Sequence, residues 1–186
     1  MTLAAVVLAA GGSSRFAGAT HKLVTPFRGR PMVSWSVEAA AAAGLDEVVV
    51  VVGAVDLSAD LPEGVTVLSN ESWATGQSSS LAVALDWCRR RDHGAAVIGL
   101  GDQPLVPAAA WRAVAQAPPA PIVAATFAGR RRPPVRLDRS VWPLVPLAGD
   151  EGARALMRGR PDLVAEVACE GEPADVDTLE DLRAWS

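Results

Sequence analysis

Residues 3–14 read Leu3-Ala4-Ala5-Val6-Val7-Leu8-Ala9-Ala10-Gly11-Gly12-Ser13-Ser14, an apolar run that breaks into two glycines and two serines. Without polar alternation, such a run predicts a short strand over residues 4–9, covered on both faces. The glycines predict a tight turn directly after it. Beyond that turn stand Arg15 and Lys22, spaced cations suited to an anionic ligand. An export signal would also open on apolar residues, but no Lys or Arg precedes this run and no spacer leads to a cleavage site. A buried strand is the expected form.

The same pattern recurs downstream. Residues 47–53 include five consecutive valines, Val48 to Val52, whose β-branched side chains predict another strand buried on both faces. Between the two strands, residues 31–43 read as a helix, with Pro31 in its first turn and Gly44 just past its end. Further strands are expected at 65–68, 95–100, 122–127, 135–137 and 163–169, and helices at 78–90, 151–158 and 179–185. This β-α-β alternation predicts one α/β domain spanning 1–186, with a mostly parallel mixed sheet and helices on both faces.

Composition narrows the function. Half of the 186 residues are apolar, and a chain of this length buries roughly 70% of its unfolded surface. No uncharged apolar stretch reaches the roughly eighteen residues of a membrane span. A net charge of −4 leaves no basic footprint for nucleic acid, so an anionic ligand must be held by local charge. Cys88 and Cys169 are far apart, with no CxxC spacing, which argues against a zinc site or a disulfide framework and for a reducing cytoplasm.

In open α/β sheets, ligands bind beyond the carboxyl ends of the strands. The turn Ala10-Gly11-Gly12-Ser13-Ser14 lies at such an end, where successive backbone amides can form a nest for phosphate. Arg15 is suited to fork onto phosphate oxygens and Lys22 to act as a mobile point charge. An ordinary strand-to-helix turn with two exposed cations would look similar, and the stretch matches neither GxxxxGK[ST] nor GxGxxG. Asp102 ends the buried run AAVIGLGD, where a hard oxygen ligand would meet a phosphate-bound Mg²⁺. It would equally serve as an Asx-turn residue before Gln103-Pro104. A second carboxylate is available at Asp175 or Asp177, although Asp177 or Thr178 also suits a helix cap, with Thr178 and Asp181 at capping-box spacing. Gly76 to Ser80 opens a helix, where hydroxyls and free amides read a base or a phosphate; serine is favoured there as a cap in any case. His21, beside Lys22, reads as an exposed loop imidazole rather than a base.

These blocks converge on a family. LAAGGSSRFAGATHKL at residues 8–23 resembles the opening of the molybdenum cofactor cytidylyltransferase-like nucleotidyltransferases. The resemblance continues through NESWATGQSSSL at 70–81, GDQPLV at 101–106, GDEGARALM at 149–157 and DVDTLEDL at 175–182. It implies a single Rossmann-like nucleotidyltransferase domain that transfers a nucleoside monophosphate from an NTP to an acceptor phosphate, with Mg²⁺ and release of pyrophosphate. CTP is the implied donor, since Ala10 makes the opening LAAG rather than the LAGG of guanine relatives. A molybdopterin-type acceptor and a molybdoenzyme client complete the implied partners. Carried over by position, the backbone of Ala9, Ala10, Gly11 and Gly12 would hold the nucleotide and Arg15 and Lys22 the phosphates. Gly76, Ser79 and Ser80 would face the base, and Asp102 with Asp177 the magnesium. Two departures stand out: six residues separate Arg15 from Lys22, longer than usual, and Pro133-Pro134-Val135 replaces Gly-x-Pro-Val. The alternatives are a sister enzyme using GTP or another phosphorylated acceptor, and a non-catalytic carrier of nucleotide or molybdopterin. A carrier has no need of two metal carboxylates.

Overall fold

The computed structural model describes residues 1–14, 16–18, 20–146 and 149–186. Strand β1 (Leu3–Ala9) lies in the interior of a seven-stranded sheet. Its side chains divide by strand parity: Ala4, Val6 and Leu8 enter one core and Ala5, Val7 and Ala9 the other. Both faces are therefore covered, and this is why the run carries no polar alternation.

A two-residue turn, Arg28 and Gly29, joins β2 (Pro26–Phe27) to β3 (Arg30–Pro31) in a small hairpin. Both turn residues have positive φ, the conformation that matches the twist of paired strands. Helix α1 (Met32–Ala42) follows and leads to β4 (Glu47–Val52), which pairs in parallel with β1 from Ala4–Glu47 to Ala9–Val52. The next strand, β5 (Thr66–Ser69), forms the sheet edge beside β4. Helix α2 (Gln77–Arg90) then returns the chain to β6 (Ala95–Leu100), on the other side of β1. Chain direction across the sheet thus reverses at β1, and the crevice opens there, beyond the carboxyl ends of β1 and β6.

Helix α3 (Ala108–Gln116) precedes β7 (Ile122–Phe127) and β8 (Arg130–Asp138). Helix α4 (Ala153–Gly159), β9 (Val164–Ala168) and helix α5 (Leu179–Trp185) complete the chain. The sheet order is β5-β4-β1-β6-β8-β7-β9, with β8 antiparallel to both its neighbours. Helices α2 and α4 cover one face through Leu81, Leu85, Leu156 and Met157, while α1 and α3 cover the other through Val33, Val37, Trp111 and Val114.

Three features depart from the sequence expectations. Helix α3 is additional; its alanines leave only Trp111 and Val114 to mark a buried face. The β2–β3 hairpin is likewise additional. Strand β8 begins at Arg130, five residues before the expected start, and its register shifts where Ala124 pairs Val135 and Ala125 pairs Arg132. Pro133 and Pro134 have no N–H to donate, so the ladder steps past them.

At the end of the sheet away from the crevice, the carboxylate of Glu47 ties four segments together. It accepts from Thr66 Oγ1 at 2.7 Å, Trp87 Nε1 at 3.0 Å and His93 Nε2 at 2.8 Å. Burial alone would raise its pKa, but these hydrogen bonds and the Arg91 charge lower it to about 2. A depressed carboxylate stabilises the fold above its unfolded pKa, here near 4.5, and that contribution fades as pH falls towards about 2. Glu47→Gln is expected to destabilise the protein by roughly 2–3 kcal/mol at neutral pH. Parallel thermal melts from pH 7 down to pH 2 check this: the gap between variant and parent should narrow below about pH 4.5.

Candidate active site

The crevice is a cleft of about 520 Å³. Its floor is the turn after β1. The Leu8 carbonyl accepts from Gly101 N–H at 2.9 Å, so the two strand ends deliver Ala9–Gly12 and Asp102 side by side. Trp73 forms a wall over the turn: a Cβ on Gly12 would lie 2.7 Å from its ring, so only glycine fits there.

Lys22 enters from the 3-10 turn Lys22–Val24. Its Nζ lies 2.6 Å from Asp102 Oδ2 and 2.8 Å from Asp177 Oδ1, joining segments 80 and 155 residues apart. Burial would lower the Lys22 pKa, but the two carboxylates outweigh it and raise it, so the ammonium stays charged. Asp175 lies nearby; burial and the charges of Asp102 and Asp177 raise its pKa.

The opposite rim is built where two distant blocks meet. Ser78 N–H donates to the Gly149 carbonyl at 2.9 Å, and Gly152 N–H donates to Ser78 Oγ at 3.2 Å. Gly76 has φ +111°, and a Cβ there would lie 2.5 Å from the Gly149 oxygen. Buried Asn70 donates to both Ser79 Oγ and Ser80 Oγ at 2.9 Å.

Of the residues singled out from sequence, Ala9, Ala10, Gly11, Gly12, Lys22, Gly76, Ser80, Asp102 and Asp177 all line this cleft. Ser79 does not: its hydroxyl turns back to the Gly76 and Ser72 carbonyls, at 2.8 and 3.1 Å. Arg15 lies outside the described residues. Asp177 stands just before the last helix, whose N-cap is Thr178 in the expected capping box with Asp181, so cap and cleft roles fall on adjacent residues.

Trp73, Gln77 and Asp150 line the cleft without having been singled out. His21 departs from the expectation of a loop imidazole facing solvent. Its Nε2 lies 2.8 Å from both the Gly11 carbonyl and Ser13 Oγ, while its Nδ1 accepts from Leu23 N–H. Burial and the neighbouring Lys22 charge lower its pKa against the pull of the Gly11 carbonyl, favouring the neutral ring that can both donate and accept. His21 fastens the glycine turn to the segment that carries Lys22. Only its place between the turn and Lys22 hinted at this.

Two hard oxygen donors of the kind a divalent metal takes come together here, while among the described residues no group of three His, Cys, Asp or Glu side chains is placed to hold one. Asp102 and Asp177 already converge on one small cation, the Lys22 ammonium, and both present hard carboxylate oxygens.

A mostly parallel α/β sheet thus sets a glycine turn, a lysine and two converging carboxylates at its switch point, where such sheets bind their ligands. The match to the MobA-like NTP transferase domain covers residues 5–167, and the chain belongs to that family. Nicotine blue oxidoreductase of Paenarthrobacter nicotinovorans is 32% identical over 193 residues, covering 95% of this chain and 93% of the relative. Purine catabolism protein PucB of Bacillus subtilis is 28% identical, covering 96% and 93%. The crystal structure of Rv0371c from Mycobacterium tuberculosis superposes with a TM-score of 0.85 at 31% identity, covering 99% of this chain and 97% of that one. Rv0371c has also been crystallised in complex with manganese.

Proposed function

We propose that the chain transfers CMP from CTP to the terminal phosphate of a molybdopterin-type acceptor, releasing pyrophosphate, with Mg²⁺. The observation that carries this reading is Lys22 bridging Asp102 and Asp177 at the strand ends. The acceptor phosphate oxygen attacks the α-phosphorus in line, the bond to the β-phosphate oxygen breaks, and pyrophosphate leaves. The attacking oxygen is already an anion near neutral pH, so no general base is required. Arg15 and Lys22 balance charge on the phosphates, and the turn amides orient them. Mg²⁺ held by Asp102 and Asp177 would supply further charge neutralisation.

A second groove of about 420 Å³ adjoins the cleft, sharing Leu8, Gln77 and Leu100 with it. Leu81, Ile98, Val135 and Met157 give it an apolar lining, and Arg132 and Arg154 stand among its cations. An apolar lining favours a fused ring over a hydroxyl-rich sugar, and guanidinium groups favour its phosphate. This supports the molybdopterin-type acceptor.

CTP is expected to be preferred over GTP. Ala10 is buried at the cleft floor, and its methyl packs so closely on Gly53 that a Cβ there would lie 2.8 Å away. A pocket shaped around the smaller ring excludes the larger by clash. Ala10→Gly removes one methyl and should relax the preference by about tenfold or less without reversing it. Pyrophosphate release with each of four NTPs, with and without molybdopterin, tests donor and acceptor together. A parent that favours GTP indicates the guanine sister activity. Nucleotide binding without pyrophosphate release indicates a carrier, or a redox role of the kind that the name of the P. nicotinovorans relative denotes.

A further inference from the structure

We infer that Gln103 is a positioning residue that sets Asp177 opposite Asp102, an inference that rests on the metal reading of these two carboxylates. The match to the family ends at residue 167, so Asp177 is carried by a segment beyond the matched stretch. That segment has almost no regular structure between β9 and α5, and irregular backbone does not by itself hold a carboxylate at a fixed distance from another strand end. Its register is set from the loop after β6. Gln103 is 2% exposed, and its Nε2 donates to the Pro173 carbonyl at 3.1 Å and to Asp175 Oδ1 at 2.7 Å. One residue further, Val176 N–H donates to the Asp102 carbonyl at 3.0 Å. Gly171 seats the start of the segment: its φ is +119°, and a Cβ there would lie 2.5 Å from Pro107 Cδ.

These contacts all come from residues 102–107, the loop that carries Asp102 itself. The two carboxylates are therefore referenced to one short piece of backbone rather than to the sheet at large. Buried Gln103 suits this task because its amide is neutral and its two N–H groups can serve two acceptors at once. A charged donor in its place would instead compete with Lys22 for Asp102 and Asp177. Gln103 has no place in the cleft lining, so it acts through Asp177 and not on a ligand.

The test compares two substitutions of Asp175 that remove the same charge. Asp175→Asn keeps an oxygen to accept from Gln103, whereas Asp175→Ala does not. Mn²⁺ binding is read from the free-ion paramagnetic resonance signal, with non-hydrolysable analogues of CTP and GTP present in turn. Asp175→Ala should bind Mn²⁺ about tenfold more weakly than Asp175→Asn, the scale of one lost hydrogen bond to a positioned carboxyl group. Gln103→Leu, which breaks the clasp from its other side and keeps the Asp175 carboxyl group, should bind Mn²⁺ more weakly than the parent. A purely structural hydrogen bond would lower melting temperature in these variants and leave Mn²⁺ affinity alike. Equal Mn²⁺ affinity for Asp175→Ala and Asp175→Asn therefore overturns the positioning role while the metal reading stands. If the parent itself binds no Mn²⁺, the metal reading is overturned and this role with it.

Discussion

Asp102→Asn is expected to fold and to lose about 10²–10³-fold in turnover at saturating Mg²⁺. The carboxylate sits at the end of β6, its Oδ2 2.6 Å from Lys22 Nζ, and its side chain is 22% exposed. The amide is nearly isosteric but carries no charge, so it is a poor ligand for a hard cation and leaves the developing phosphate charge less well balanced. Stability should move little, or upward. Burial first, and then the charges of Asp102 and Asp177, raise the Asp175 pKa, and deleting one of those charges relieves the repulsion. Steady-state kinetics with thermal melts separate the two effects. Near-parental turnover in a well-folded variant would remove Asp102 from the metal site.

Lys22→Met should behave in the opposite sense. Losing the ammonium leaves two carboxylates, 22% and 24% exposed, facing each other without their shared cation. Breaking such a partly buried cluster should destabilise the protein by on the order of 2–3 kcal/mol in the absence of metal. Turnover should fall, and the requirement for NTP should rise, because the ammonium would meet charge both in the bound triphosphate and in the transition state. Divalent metal should restore stability. Mn²⁺ is expected to raise the melting temperature of Lys22→Met more than that of the parent, because the metal replaces a cation that the parent already holds. Equal shifts in the two proteins would show that the ammonium and the metal do not share the carboxylates.

The two variants thus probe one cluster from its anionic and cationic sides. Conflicting outcomes would be informative. A stable, inactive Asp102→Asn beside an active Lys22→Met would assign the metal role to Asp102 and leave phosphate binding to other residues. His21 sits next to this cluster and holds the glycine turn, so its removal would alter both readouts and is unsuited as a control.

Much of this architecture was legible in the residues alone. The runs at β1, β4 and β6 are so uniformly apolar that only a sheet covered on both faces accommodates them, and a parallel sheet puts its ligands at the carboxyl ends. Asp102 and the turn at Ala10–Gly12 are consequently both placed at that edge of the sheet, and the pairing of β1 with β6 in the structure sets them side by side. Local chemistry was also readable: the Thr178–Asp181 capping box spans three residues and needs no distant partner. Helix α3 and the start of β8 were not readable, because alanines mark no face and a strand that begins Arg130-Arg131-Arg132-Pro133-Pro134 carries no buried pattern. The capture of Lys22 by both Asp102 and Asp177 and the Gln103 clasp join residues brought together by the chain's long-range path, whereas the turning of Ser79 into its own helix and the His21 fastening are local contacts that no pattern of residue types marks. Spacing within a block constrains a helix turn or a strand face, a few residues at a time. Hydrogen bonds between segments 70 to 155 residues apart depend on where the whole sheet sets those segments down, and that was decided only by the tertiary structure.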